Sequence, residues 1–180
     1  RLPSRPILVL CYNRALAARL QQLVYEKGLA DKVQVYNFHR WCRQQLILYN
    51  ETLPGDGPEF SDQLVQKLIA AVDAGRIPAG QYGAVMLDEG HDFQPEWLKL
   101  TAQMVDPSTN SLLVLYDDAQ SIYTRSRGKF SFASVGIQAR GRTTILKLNY
   151  RNTDEVIKVA TAFARELLTE AEAEEDGIPL

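Results

Sequence analysis

Two adjacent carboxylates are the first feature of this sequence that could do chemistry. Asp88 and Glu89 directly follow the apolar run at 84–87. A short, wholly apolar run predicts a strand buried on both faces, which would deliver both acids to one end of a sheet. There, one carboxylate can hold Mg²⁺ while its neighbour orients or deprotonates a water. The pair indicates hydrolytic chemistry, although adjacent acids also occur as plain charges at helix N-termini.

Two further apolar runs are followed by polar side chains that suit a nucleotide. Gln120 comes shortly after the run at 112–116, and Tyr150 and Arg151 follow the run at 145–148. A glutamine amide can hydrogen-bond both a phosphate oxygen and a water. An arginine can fork onto a terminal phosphate, and the tyrosine before it can stack on a base.

The elements that position these residues are short apolar strands alternating with amphipathic helices. Strands are predicted at 7–10, 33–36, 84–87, 112–116 and 145–148. Three helices are predicted to begin after the caps Asn13, Ser61 and Thr153, and two more at 38–49 and from Pro95 onward. Gly28 is predicted to end the first helix, and Val156 is predicted to face inward on the last. This alternation predicts an α/β protein with a mostly parallel sheet, in which ligands bind beyond the carboxyl ends of the strands.

Composition sets limits on the class of protein. The chain has 180 residues, 46% of them hydrophobic and 23% charged, which excludes disordered, collagenous and coiled-coil classes. No apolar run approaches the roughly 20 residues of a membrane span, so no membrane partner is expected. The two cysteines, Cys11 and Cys42, are expected to be buried thiols in a reducing compartment, and Trp41 and Trp97 are expected to lie in the core.

The net charge of -2 conceals separate basic and acidic blocks. Residues 1–45 hold 8 Lys or Arg against 2 acids, and residues 119–153 hold 7 against none. Residues 46–118 hold 3 bases and 12 acids. Basic segments around an acidic centre fit a phosphate-facing surface beside a carboxylate site, although Lys and Arg also simply solvate loops and helix faces.

Five segments in order resemble motifs Ia, Ib, II, III and IV of superfamily 1 helicases of the UvrD/Rep/PcrA type. They read LVLCYNRALAARL, VYNFHRWC, VMLDEGHDF, LLVLYDDAQSIY and LKLNYRNT. The resemblance spans roughly residues 6–165. It implies part of a RecA-like P-loop NTPase domain, three-layered and mostly parallel. The parent protein would be an ATP-dependent, 3′-to-5′ DNA helicase of the bacterial cytoplasm, acting in DNA repair.

The resemblance also implies roles for particular residues. Asp88 would hold Mg²⁺, Glu89 would act on the attacking water, Gln120 would sense the γ-phosphate of ATP, Arg151 would contact that phosphate, and Tyr150 would lie against the adenine. Single-stranded DNA, or RNA, would meet Tyr12, Asn13, Arg14, Phe38, His39, Tyr123 and Arg125. Aromatic residues interleaved with bases independently suit stacking and backbone neutralisation.

The sequence departs from the family pattern at several points. Gly90 and His91 replace an aromatic-Gln pair, so a coupling role would pass to His91. The segment 124–127 stands where the family has a stacking Trp after the third motif. This difference favours contact of Arg125 with the nucleic-acid backbone. The family's inserted subdomain would be reduced to about 44–80.

The 180 residues contain no G-x-x-x-x-G-K-[ST] phosphate loop. We therefore expect the loop and its strand upstream, and a second RecA-like domain downstream, so the chain alone should not hydrolyse ATP. The expected organisation is a partial domain at 1–168 and an acidic, frayed tail at 169–180. Without the phosphate-loop strand, the strands at 112–116 and 145–148 would pair with each other or borrow a strand from another chain in an oligomer.

Two other functions remain open from the residues. A degenerate, non-hydrolysing helicase-like module would bind DNA or a protein partner. A Mg²⁺-dependent nuclease would use the acids Asp88, Glu89, Asp92, Asp117 and Asp118, and would leave Gln120 and Arg151 without a role.

Overall fold

The computed structural model describes residues 5–116 and 131–145, together with positions 153, 155, 156, 158, 159 and 162. The chain divides into two compact units, Arg1–Tyr116 and Asp117–Leu180. The sequence-based prediction of one domain over 1–168 runs across this division. The first unit holds the sheet and is described first.

Four parallel strands form the sheet of the first unit. They are β1 (Ile7–Cys11), β2 (Val33–Asn37), β3 (Ala84–Asp88) and β4 (Leu112–Val114). Their order in the sheet is β2-β1-β3-β4, and every pairing is parallel. The predicted α/β class and the first four predicted strands are confirmed, each within two residues at its ends.

Four helices connect and cover these strands. They are α1 (Arg14–Glu26), α2 (Phe38–Leu48), α3 (Phe60–Asp73) and α4 (Pro95–Gln103). Asn13 caps α1 and Pro95 occupies the first turn of α4, both as predicted. Gly28 follows the end of α1 with φ +64°, a left-handed conformation that glycine adopts without a Cβ clash. The predicted cap Ser61 is wrong, because α3 begins one residue earlier and Ser61 lies inside its first turn.

The crossovers place helices on both faces of the sheet. A right-handed connection from β1 to β2 puts α1 on one face, and the connections that return to β3 and β4 put α2, α3 and α4 on the other. The core lies mainly between the sheet and α2–α4. It contains the fully or almost fully buried side chains Leu8, Leu10, Val85, Leu87, Trp41, Leu68, Leu98 and Met104.

The sequence-based assignments of core residues are largely confirmed. Trp41 and Trp97 are buried, and both cysteines are buried free thiols. The segment 44–80, predicted as a reduced insert, contributes α3, which packs on α2 and buries its apolar side. That segment is therefore part of the core of the first unit.

One face of the sheet is only partly covered within the described residues. Met86 and Leu113 are neighbours on adjacent strands, and they are 41% and 48% exposed. Among the described residues, β4 pairs only with β3. The predicted partner strand at 145–148 is not tested, since Ile145 is outside any strand and 146–148 lie beyond the described residues.

The described positions of the second unit include one 3₁₀ helix, Phe132–Val135, which Ser131 caps through its hydroxyl oxygen. Positions 155, 156, 158, 159 and 162 are helical. Val156 is 53% exposed, so the prediction that it faces inward is wrong. The tail at 169–180 lies outside the described residues. In the portion of the chain that the structure covers, no helix has the length and apolar character needed to cross a bilayer.

Candidate functional site

The carboxyl ends of three strands stop at the same level. Cys11, the last residue of β1, lies beside Asn37 at the end of β2 and beside Asp88 at the end of β3. The residues that follow each strand therefore leave the sheet at one edge. This edge brings the predicted acids and the predicted aromatic contacts into one neighbourhood, where ligands of parallel sheets bind.

The acids at this edge belong to a tight turn, here called the acidic turn (Asp88–Asp92 in sequence). Glu89 has φ 54° and ψ 48°, a left-handed conformation that non-glycine residues seldom adopt. The backbone N–H of Asp92 donates to the carbonyl of Glu89 over 2.9 Å, which closes a 3₁₀ turn. Strained backbone of this kind concentrates at functional sites, because the surrounding structure must hold it in place.

Gly90 fastens the acidic turn to β4. Its backbone N–H donates to the carbonyl of Leu115 over 2.8 Å. A Cβ at position 90 would lie 2.7 Å from Cγ1 of Val114 and 3.2 Å from the carbonyl oxygen of Leu115. Only glycine fits this close approach without a shift of β4 or of the turn.

His91 is a buried residue of the acidic turn, with 8% of its surface exposed. Its Nε2 is 3.5 Å from Oε2 of Glu89 and 3.9 Å from Oδ1 of Asp92. Its Nδ1 is buried and has no hydrogen-bond partner among the described residues. The ring also meets Tyr116 edge to face, with centroids 6.1 Å apart. The two carboxylates above it are each about half exposed.

Asp88 is half-buried beside the thiol of Cys11. Burial, and secondarily the negative charge of Asp88, raise the pKa of Cys11 to about 11, so this thiol stays protonated and unreactive. Within the described ranges, no three His, Cys, Asp or Glu side chains group to hold a metal ion. A Mg²⁺ bound with nucleotide phosphates needs only one or two protein carboxylates, and Asp88 fits that requirement.

An aromatic cluster stands next to the acidic turn. Tyr12 meets His39 with ring centroids 5.9 Å apart and Phe93 with centroids 6.2 Å apart. Phe93 also lies 4.9 Å from Phe38. Trp97 completes the cluster by packing on Phe38. Because Phe93 directly follows the acidic turn, the acids and the exposed aromatics share one packed support.

Exposure separates the contact surface from its support. Tyr12 is 41% exposed and His39 is half-buried, so both can meet a ligand. Phe38 has no exposed surface. The prediction that Phe38 contacts nucleic acid is therefore wrong for this conformation; it supports the exposed rings from below.

Two asparagines hold the loops that carry this surface. The side-chain amide of Asn37 donates to the carbonyl of Tyr12 over 2.7 Å, and its oxygen accepts from the N–H of Arg40. Asn13 accepts from the N–H groups of Ala15 and Leu16, so its side-chain oxygen serves α1. Asn37 and Phe93 were not among the site residues predicted from the sequence. An Asn directly before a predicted helix is a capping signal that could have identified Asn37.

Charged residues of both signs lie near the exposed rings, because Asp62 and Arg14 both act electrostatically on His39. Arg14 is exposed at the first turn of α1 and interacts electrostatically with His39. Burial lowers the pKa of His39 below its ordinary 6.5; Arg14 lowers it further, while Asp62 opposes the shift. His39 is therefore a neutral aromatic surface at physiological pH, and Arg14 supplies the positive charge.

Five predicted site residues lie outside the described residues. They are Gln120, Tyr123, Arg125, Tyr150 and Arg151. Their predicted roles at the phosphate, the base and the nucleic-acid strand stay predictions.

In comparisons with known proteins, no family model, no curated protein and no solved structure matches this chain. Its functional assignment accordingly depends on the residues and the geometry of the first unit.

Proposed function

We propose that this chain is part of an ATP-dependent motor that moves along single-stranded nucleic acid. In the proposal, the acidic turn acts on ATP and Mg²⁺, and Tyr12, His39 and Arg14 contact the strand. The observation that supports the proposal most directly is that β1, β2 and β3 end side by side at the same edge of the sheet. Cys11 lies beside both Asn37 and Asp88, so the aromatic and acidic groups emerge at one edge of the sheet.

The roles at the acidic turn follow from position and exposure. Asp88 ends β3 and would hold the Mg²⁺ that accompanies ATP; a magnesium ion there supplies charge neutralisation for the phosphates. Glu89 is 46% exposed at its carboxylate and would orient the attacking water and accept its proton.

The nucleic-acid surface combines stacking with charge. Tyr12 offers an exposed ring that is braced edge to face by His39 and Phe93. Stacking on such a ring tolerates any base, because every base has a π face. Arg14 would neutralise the phosphate backbone next to that ring.

The packed aromatic cluster physically connects the acidic turn, where ATP would bind, to Tyr12 on the proposed strand-binding surface. Phe93 touches Tyr12 at the strand-binding surface and follows the acidic turn by one residue. A shift of the acidic turn on hydrolysis would therefore reach Tyr12 through ring contacts. This link distinguishes a motor from two independent binding surfaces.

Binding of a fluorescent single-stranded oligonucleotide to the 180-residue chain, followed by anisotropy at low salt, tests the strand surface. Tyr12→Ala should weaken binding by about 5- to 160-fold, as expected for the loss of roughly 1–3 kcal/mol of stacking. Tyr25→Ala is the matched control, since Tyr25 is 78% exposed on α1 and makes no described ring contact. Equal losses in both variants would contradict the assignment of Tyr12.

The proposed ATP hydrolysis is tested in the natural polypeptide that contains this chain. Glu89→Gln should abolish strand-stimulated ATP hydrolysis and leave ATP binding intact. A wild-type protein that binds the strand but hydrolyses no ATP would instead support the non-hydrolysing module. Cleavage of the strand with Mg²⁺ and without nucleotide would support the nuclease.

A further inference from the structure

His91 is the buried polar residue whose surroundings the proposed function does not yet explain. Its side chain is 6% exposed, and within the part of the chain that the structure describes Nδ1 has no hydrogen-bond partner. Leaving a buried polar atom without a partner costs roughly 1–3 kcal/mol, so its retention calls for a physical reason. The reason lies at the other nitrogen, where Nε2 is 3.5 Å from the carboxylate of Glu89.

The two neutral forms of the imidazole differ sharply in this setting. With the proton on Nδ1, a buried donor would have no acceptor, and the lone pair of Nε2 would face a carboxylate. With the proton on Nε2, the donor nitrogen is the one that lies 3.5 Å from the Glu89 carboxylate, and the buried atom without a described partner is an acceptor. The setting therefore selects the Nε2–H form.

We propose that His91 is a positioning residue that holds the carboxylate of Glu89 in place through its Nε2–H. This inference rests on the proposed function, in which Glu89 is the group that acts on water. The left-handed backbone of Glu89 fixes the direction in which its side chain leaves the main chain. His91 would fix the position of the carboxylate at the end of that side chain. Gly90 makes this geometry possible, because its close contact with β4 seats the imidazole against Tyr116.

The buried position of His91 suits this role. The carboxylate of Glu89 is about half exposed, whereas the imidazole below it is almost wholly excluded from water. An exposed carboxylate alone would move among several rotamers. A rigid donor beneath it restricts that motion without blocking the solvent side, where a water must approach.

Nitrogen NMR on the 180-residue chain tests the geometry without any activity. Long-range ¹H–¹⁵N spectra should show His91 protonated at Nε2 and bare at Nδ1. The chain has 2 histidines, so His39→Gln assigns the signals. Glu89→Gln should shift the Nε2–H resonance of His91, and Glu96→Gln, at an exposed acid on α4, should not. A proton on Nδ1, or no response to Glu89→Gln, would overturn the proposal.

Kinetics of the natural polypeptide test the consequence. His91→Phe keeps a ring but removes the donor, and it should lower kcat roughly 10-fold or more with KM for ATP unchanged, as expected when a catalytic group is misplaced. His91→Gln places an amide N–H near the position of Nε2 and should recover most of the loss. Equal losses in both variants would assign His91 a purely structural role.

The two proposals fail separately. A wild-type polypeptide without ATP hydrolysis would refute the motor, while the NMR result would still decide whether His91 holds Glu89. Normal hydrolysis with the proton on Nδ1 would refute the role of His91 and leave the motor intact. If His91→Phe does not fold, the wild-type spectrum decides the question.

Discussion

The side-chain amide of Asn37 donates a hydrogen bond to the backbone carbonyl of Tyr12 across the ends of two neighbouring strands, at 2.7 Å. Asn37 is 8% exposed, so this bond is shielded from water. It ties the loop after β1 to the start of α2. The exposed ring of Tyr12 therefore takes its position from a residue 25 places further along the chain.

Asn37→Ala should lower the free energy of unfolding by about 1–3 kcal/mol, because it leaves the partly buried carbonyl of Tyr12 without its donor and removes the cap acceptor for Arg40. It should also weaken oligonucleotide binding, since the loop that carries Tyr12 loses its anchor. Urea denaturation and anisotropy measure the two effects. Asn37→Asp is the informative comparison, because it keeps the cap acceptor for Arg40 but loses the donor. If Asn37→Asp binds oligonucleotide as wild type does, the bond to Tyr12 does not position the ring.

Gly90→Ala should destabilise the first unit by about 1–3 kcal/mol, in the range of other overpacked sites. The added Cβ would lie 2.7 Å from Cγ1 of Val114 and close to backbone, which cannot swing away. Gly55→Ala is the control, as a Cβ at Gly55 meets nothing within 4 Å. Thermal or urea unfolding of the two variants provides the measurement. Similar stabilities would show that the acidic turn can move off β4.

Asn13→Ala should lower stability by about 1 kcal/mol through loss of the cap on α1. The side-chain oxygen of Asn13 accepts from two backbone N–H groups at 2.8 and 3.1 Å. Asn13→Ser supplies another capping oxygen and should restore most of the stability. Comparing both variants in oligonucleotide binding also tests the predicted strand contact. A loss of binding in Asn13→Ser at wild-type stability would indicate that Asn13 contacts the strand directly.

Folding stability should fall as the pH drops below 6.5, in part because of His39. Burial lowers the pKa of His39 in the folded chain from its ordinary 6.5. The unfolded chain then binds more protons between the two pKa values, so the free energy of unfolding decreases with falling pH across that window. The stabilising contribution is fully present above 6.5 and is lost below the folded pKa.

Urea titrations over a pH series on the wild type and on His39→Gln measure this effect. The difference in unfolding free energy between the two proteins should change as the pH crosses that window and be constant above it. A difference that is the same at every pH would show that His39 titrates alike in both states.

Local patterns in the sequence were sufficient for the secondary structure of the first unit. The apolar run at 84–87 predicted β3, and Asn13 and Gly28 predicted the two ends of α1. Such signals succeed because capping, left-handed turns and buried strands depend on side chains within a few residues of one another. The same signals failed at Ser61, which lies inside the first turn of α3, because the helix begins at Phe60 without a side-chain cap from Glu59.

The contacts of the candidate site were decided by tertiary structure. Phe38 and Tyr12 are both aromatic residues after a strand, yet one is fully buried and the other is 41% exposed. That difference depends on the packing of the rings of Phe93 and Trp97 onto Phe38. Likewise, the sequence placed Asp88 and Glu89 after a strand, but the packing of Gly90 on β4 and of His91 against Tyr116 depends on residues far apart in the chain. The sequence by itself determined which chemical groups reach the edge of the sheet; strand register and close packing determined which of them meet, because both are set by contacts between distant segments.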